Sequence, residues 1–312
     1  MGRRRKGRSV HGILLLDKPK GMTSNAALQK AKRLFQAQKA GHTGSLDPLA
    51  TGMLPLCFGE ATKVCNFLLD SDKCYTVRLR FGEQTDTADA DGEVVQTAGT
   101  KAVTERKIRK ACKQFLGEIE QVPPMYSALK KDGQRLHELA RQGIEVEREA
   151  RTVYIDEFEL LSLEERDGLP EATLRVICSK GTYIRSLGED LAAELDSLAH
   201  VVMLRRDWVD PYEEAELITL EALEKLAEDG YDALHTALTT AESALSDLPV
   251  VELRADLAGF IKQGNPVFHS DVPEDEPVRL RELLEDGQKR FIGMGELNAD
   301  GMLAPKRLIR CD

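Results

Sequence analysis

At 312 residues the chain is long enough to bury a substantial core, as one large domain or as one large and one small. Its 42% hydrophobic and 31% charged residues exclude a disordered class, and no apolar run approaches the length of a membrane span. The net charge of −10 conceals an asymmetry: residues 1–40 hold eleven Lys/Arg and one acid, Asp17, so the remaining 272 carry −20, a distribution that points to a polyanion at the basic end.

Residues 1–9 form a basic leader. The apolar stretch that follows, Ile13 to Leu16, is too short for a signal-peptide core, so a cytoplasmic protein is expected. "GILLLDKPKGMTS" predicts a strand closed by a turn with Pro and Gly, after which Ser24 opens a helix over about 24–39. That helix sets Leu28, Ala31, Leu34 and Phe35 on one face. A glycine-rich loop then leads into "MLPLCFG", a buried strand, and "ATKVCNFLLD", a short helix. "CYTVRLRFG" alternates strictly, with Tyr75, Val77, Leu79 and Phe81 on one face and Thr76, Arg78 and Arg80 on the other. A helix over about 104–115 follows. Residues 120–152, with a Pro-Pro entry, a Gly turn and a polar helix, read as an insertion or mobile arm. "ATLRVICSKG" is a strand, "TYIRSLGEDLAAEL" a helix, "HVVMLRRDWV" a strand, and 214–247 an acidic helical stretch. From about residue 249 short strand-like runs predict a small all-β domain. The mixed order of strands and helices favours an α+β fold.

The six cysteines form no CxxC pair and the six histidines are scattered, which argues against a zinc site or a disulfide framework. The chemistry concentrates in "AGHTGSLDPLATGMLP", residues 40–55, where one carboxylate, Asp47, sits among glycines 41, 44 and 52. Glycines let a tight loop form and let a ligand approach the backbone closely. A carboxylate held there can serve as nucleophile, base or charge stabiliser, or it can bond to nearby N–H groups in a turn. The phosphate-cradling GxxxxGK[ST] and GxGxxG patterns are absent from it.

"GHTGSLDPLATGMLP" resembles the catalytic motif of the TruB family of RNA pseudouridine synthases. "LLLDKPKGMTS" is similar to that family's N-terminal motif, "DKCYTVRLRFG" to its tyrosine strand, "CSKGTYIRSLGEDL" to its arginine motif, and "VVMLRR" to its late leucine strand. "PPMYSALKKDGQRLHELARQG" resembles its RNA-gripping insertion. The resemblance runs in order over about residues 10–208, and "FIGMGELNADGMLAPKRLI" is similar, more weakly, to the small β-barrel PUA domain.

The resemblance implies a pseudouridine synthase fold, with a mixed, mainly antiparallel sheet flanked by helices over 10–248 and a PUA-like RNA-binding domain over 249–312. It implies a reaction that detaches uracil at N1 and rejoins it through C5, without cofactor or metal, at position 55 in the T-loop of tRNA. Asp47 becomes the catalytic carboxylate, and Arg185 the partner that keeps it ionised. Tyr75 becomes the ring that stacks on the base and takes the C5 proton, with a plain core tyrosine as the alternative. Leu204 and Tyr183 would border the base, Leu204 serving equally as core. His42 would fill the gap left by the flipped base. Lys18 and Lys20 would hold phosphates or brace the site, and Lys130, Lys131 and Arg135 would grip the T-stem. Whether Asp47 attacks the ring, attacks the sugar or removes a sugar proton stays open. So do a guide-RNA-dependent relative and a non-catalytic RNA-binding or RNA-folding module; a glycosidase lacks its second carboxylate in the loop. A monomer away from membranes is expected.

Overall fold

The computed structural model describes residues 7–310 apart from 128, 132, 141, 145, 271 and 275. In the first half the strands are β1 (Gly12–Lys18), β2 (Ala40–His42), β3 (Thr51–Phe58), β4 (Lys73–Phe81), β5 (Glu83–Thr85), β6 (Val94–Thr97) and β7 (Gly117–Gln121). Then come β8 (Lys130–Lys131), β9 (Gln134–Arg135), β10 (Arg151–Arg166), β11 (Leu169–Cys178), β12 (Ala199–Val209) and β13 (Ile218–Thr219). Nine of these make one sheet in the order β13-β1-β3-β12-β4-β11-β10-β7, with β2 paired to β3. Only β1–β13 and β12–β3 run parallel, so the sheet is mixed and mainly antiparallel as expected.

The helices are α1 (Ser24–Leu34), α2 (Cys65–Asp70), α3 (Glu105–Cys112), α4 (Leu136–Ala140), α5 (Ile184–Ala193), α6 (Leu220–Glu228), α7 (Tyr231–His235) and α8 (Ala255–Lys262). Thr23 caps α1 by accepting from the Ala26 N–H, and Thr104 caps α3 in the same way from Lys107. The first helix stops at Leu34, short of the 39 read from the pattern. Gln36 turns left-handed at φ 51, and the N–H groups of Gln36 and Ala37 return to the carbonyls of Arg33 and Lys32. This double bond is a Schellman closure. What fixes it is Phe35, fully buried with its ring centroid 4.9 Å from that of Phe58. Burying a side chain of that size contributes roughly 1.5–3 kcal/mol.

β4 behaves as its alternation requires: Tyr75, Val77, Leu79 and Phe81 are buried, and Thr76, Arg78 and Arg80 only partly so. β10 was not legible because register shifts at Ile155/Glu157 and Leu160/Ser162 break the two-residue period. Residues 122–150 leave and re-enter the sheet edge between β7 and β10, which pair directly, so the arm is an excursion between neighbouring strands. Arg8 bridges to Ala37, and its guanidinium lies 4.2 Å from the Tyr231 ring centroid; residues 1–6 lie outside the described residues.

The C-terminal part forms a second sheet, β14 (Val250–Leu253), β15 (Val278–Leu283), β16 (Lys289–Leu297) and β17 (Leu303–Leu308), in that order. It is not all-β, because α8 packs Ala258 and Ile261 into its core. Among the described residues no strand pair joins β14 to β17, so the sheet does not close into a barrel. Its Met294 packs with Ala61, Leu68 and Val209 of the larger part.

The join between the glycine loop and β3 is tight. Gly52 has φ +97 and stands opposite Arg206 of β12, and a Cβ there would lie 2.2 Å from the Arg206 carbonyl oxygen. Gly52→Ala should therefore cost about 2 kcal/mol or more in denaturant unfolding. Gly21→Ala, at φ +80 but with nothing within 4 Å, should cost only about 1 kcal/mol. Equal costs for the two would show that β12 yields to the added methyl.

Candidate active site

Residues 43–50 connect β2 to β3, and polar bonds from three elements fix them. The buried Ser24 hydroxyl donates to the Leu46 carbonyl (3.0 Å) and accepts from the Leu46 N–H (2.7 Å). The Gly21 N–H donates to the Pro48 carbonyl at 2.7 Å, and the Asp47 carbonyl accepts from Ala50 at 3.0 Å. Arg206 donates from Nε to the Met53 carbonyl (2.7 Å) and from Nη2 to the Gly44 carbonyl (3.3 Å). A loop so held presents its one carboxylate in a defined direction.

That direction is toward Arg185, the second residue of α5. Arg185 Nε lies 2.9 Å from Asp47 Oδ2. The same guanidinium donates from Nη1 to the Thr87 carbonyl (3.0 Å) and from Nη2 to the Tyr126 carbonyl (2.7 Å). Among the described residues no main-chain N–H bonds to the Asp47 carboxylate, so the local-turn alternative is not what the loop does. Burial raises the Asp47 carboxyl above its ordinary range, Arg185 and Lys18 pull it back down, and Asp89 adds to the rise. Arg185 thus opposes protonation without fully offsetting burial. The Asp47 side chain stays 39% exposed, so water moderates the effect.

Asp47 and Arg185 line a cavity of about 600 Å³ together with Tyr75, Tyr183 and Leu204. Of the remaining anticipated residues, His42, Lys18 and Lys20 lie outside it. Tyr75 is buried, which pushes its phenol up; the adjoining Arg206 guanidinium opposes the shift. Tyr183 precedes α5, its backbone gripped by Gln121, which accepts from the Tyr183 N–H (2.7 Å) and donates to its carbonyl (3.0 Å). Lys18 is fully buried, and its ammonium donates to the carbonyls of Pro19 (2.9 Å), Met22 (2.7 Å) and Pro48 (3.5 Å). It braces the loop and is not offered to a phosphate, and burial lowers its pKa to about 8. Lys20 is exposed. His42 ends β2 opposite Leu56; burial and Arg206 lower its pKa, and its buried Nδ1 has no hydrogen-bond partner among the described residues. The side chains of Lys130, Lys131 and Arg135 lie outside the described residues.

Among the charged residues of the cavity wall, the pattern reading gave no role to Arg206, Asp91, buried Asp89 and buried Lys73, whose pKa burial lowers to about 8. Charged residues inside otherwise apolar strands were the available signal, as in "VVMLRRDWV". Among the described residues no group of three His, Cys, Asp or Glu is placed to hold a metal ion. Chemically, the cavity offers a fixed carboxylate, an apolar wall at Leu204, a phenol and several cations around one shared space.

Removing Arg185 should raise the Asp47 pKa, because the protonated form no longer forfeits an ion pair. In Arg185→Met we expect the Asp47 titration to move to higher pH, read from the ¹³Cγ shift of labelled aspartate. An unchanged titration would mean that the pair does not govern Asp47.

Three family models match the chain in sequence order: TruB family pseudouridylate synthase (N terminal domain) over 32–184, tRNA pseudouridylate synthase B C-terminal domain over 185–246, and Pseudouridine synthase II TruB, C-terminal, over 249–309. The tRNA pseudouridine synthase B of Saccharophagus degradans is 50% identical over 311 residues, covering 98% of each chain. That of Stutzerimonas stutzeri is 51% identical over 310 residues, covering 99% of each. Among solved structures, a chain of a Cbf5-Nop10-Gar1 complex superposes with a TM-score of 0.72 at 27% identity, over 96% of this chain and 84% of that one. With half its residues shared over nearly its whole length and the family's motifs in order around one cavity, the chain belongs to the TruB family of pseudouridine synthases.

Proposed function

We propose that the chain isomerises uridine to pseudouridine at position 55 in the T-loop of tRNA, with Asp47 as the essential carboxylate. The observation that carries this reading is the Asp47–Arg185 pair in the wall of a cavity that Tyr75 and Leu204 also line. The N1–C1′ bond breaks, the detached uracil turns over, and a C5–C1′ bond forms. Nothing is oxidised and no group departs. A glycosidase needs a second carboxylate because a leaving group and a water both exchange protons; here the base is kept and reused, so one suffices.

The target base must leave its stack to reach the cavity. Tyr75 then stacks on it and takes the C5 proton, Leu204 forms the apolar wall, and Tyr183 borders the opening. His42, on β2 beside the cavity, fills the gap in the RNA. Lys20 and the arm over 122–150, with Lys130, Lys131 and Arg135, grip backbone phosphates, since folded RNA is read largely by shape. We divide the chain into a catalytic unit over 10–248 and a PUA-like RNA-binding unit over 249–312. Identity near 50% over full length to proteins named tRNA pseudouridine synthase B, against 27% to the Cbf5 complex chain, favours action without guide RNA. We further propose a cytoplasmic monomer; among the described residues no helix is long and apolar enough to cross a membrane.

Incubation with unmodified tRNA and position-resolved mapping tests the proposal: pseudouridine appears at position 55, whereas free uracil or binding alone would sink it. Asp47→Asn keeps size and polarity but removes the charge. Its turnover should fall by several powers of ten while RNA affinity changes by no more than about tenfold, roughly 1.4 kcal/mol. Near wild-type turnover would remove Asp47 from the chemistry.

Deleting residues 1–6, which include Arg3, Arg4, Arg5 and Lys6, spares the Arg8 anchor and should weaken binding while leaving saturated turnover intact. The slope of log affinity against log salt should shrink by about 0.9 for each duplex phosphate that is no longer neutralised. An unchanged slope would leave the leader without a role in RNA binding.

A further inference from the structure

Arg206 is 1% exposed, among the most deeply buried large side chains of the protein. A buried guanidinium is costly unless a carboxylate offsets its charge. Among the described residues, however, the hydrogen bonds of Arg206 run to two main-chain carbonyls, and no carboxylate stands within ion-pair distance. Those two carbonyls belong to Gly44 and Met53, on either side of Asp47 in the chain. The Arg206 backbone lies opposite Gly52, so main chain and side chain together grip the loop where it enters β3. In the β12–β4 ladder Arg206 is also the direct partner of Tyr75, and both line the cavity. The cation is therefore placed at the loop that aims Asp47 and beside Tyr75.

We propose that Arg206 is a positioning residue for the isomerisation, stapling the two ends of the Asp47 loop and holding positive charge against the Tyr75 hydroxyl. This deepens the function proposed above and rests on it for the Tyr75 half. Tyr75 must lose its own proton to solvent before it can take one. When the rejoined ring gives up its C5 proton to the phenolate oxygen, the C5–H electron pair becomes the C5–C6 double bond, the C6–N1 π pair moves onto N1, and N1 takes a proton from solvent. Burial works against the phenolate, and the Arg206 charge is what favours it. Other charges also face the phenol: the Asp47 charge adds to the burial effect, as does the neighbouring Cys178 thiol.

Two substitutions separate the two halves. Arg206→Lys keeps a charge but lacks the planar fork that reaches both carbonyls, whereas Arg206→Gln loses the charge as well. In the free protein, amide hydrogen exchange over 44–53 should quicken by at least about tenfold in both variants, with the far edge of the sheet, β10 and β7, unaffected. In Arg206→Gln the single-turnover rate on unmodified tRNA should fall by about 100-fold, the low end of what a positioned proton-transfer group contributes, with affinity little changed. The rate's rise with pH should move to higher pH, because without the cation the phenol holds its proton more strongly. Placing 3,5-difluorotyrosine, a more acidic phenol, at position 75 in that variant should recover about tenfold of the loss, which a merely structural defect would not allow. Unchanged exchange over 44–53 in Arg206→Lys overturns the stapling role, and this readout stands even if Arg206→Gln fails to fold. A fluorotyrosine without effect overturns the role toward Tyr75. Quickened exchange in a chain that does not isomerise uridine would defeat the proposed function and leave the loop positioning in place.

Discussion

A guanidinium carries five N–H groups in one plane, and Arg185 directs three of its own to three separate parts of the chain. One meets the carboxylate of Asp47, one the carbonyl of Thr87, and one the carbonyl of Tyr126 at the root of the 122–150 arm. The planar fork makes these bonds interdependent: the arm, the acidic turn after β5 and the glycine loop share one anchor. Lysine, with its point charge and flexible stem, cannot reproduce that geometry. The mouth of the cavity and the aim of its carboxylate are thus set together by one side chain, itself held because Gln121 grips Tyr183 just before α5 begins.

Around this anchor the protein solves a general difficulty. A loop buried beside a sheet leaves main-chain carbonyls without ladder partners, and leaving a buried acceptor unmet costs about 1–3 kcal/mol. Here long cations supply the donors. Lys18 serves Pro19, Met22 and Pro48; Arg206 serves Gly44 and Met53; Lys73 serves Leu69 and Ser71. The same groups place positive charge beneath the cavity of a chain whose net charge is −10. A polyanionic substrate would meet a locally favourable field despite the acidic whole. Burial disfavours the charged forms of Lys18 and Lys73 and lowers the pKa of each to about 8.

The sheet explains why the site lies where it does. β3, β12 and β4 are neighbours, with β3 and β12 parallel and β12 and β4 antiparallel. The start of β3 follows the Asp47 loop, the middle of β12 carries Leu204 and Arg206, and the start of β4 carries Tyr75. Three segments far apart in sequence therefore converge at one end of three adjacent strands. The C-terminal sheet stands apart from this convergence and docks through Met294 near α2, which leaves the cavity to the larger part alone.

The sequence by itself determined whatever depends on neighbours along the chain. The alternation of β4, the starts of α1 and α3, the glycine loop around Asp47 and the ordered motifs that mark the family were all legible, because period and turn chemistry act over a few residues. It did not determine where α1 stops, since that follows from Phe35 meeting Phe58, nor the length of β10, since two register shifts hide its period. Resemblance could name Asp47 and Arg185 as partners, but the 2.9 Å between them is a property of the fold. Lys18 reads in sequence as either a phosphate holder or a brace, and burial of β1 with three carbonyls around its ammonium makes it the brace. Arg206 reads as one of two strand arginines; only the pairing of β12 with β3 and β4 turns it inward. Burial and register are relations between distant segments, so the final charge state and direction of each side chain in the cavity were decided by the tertiary structure alone.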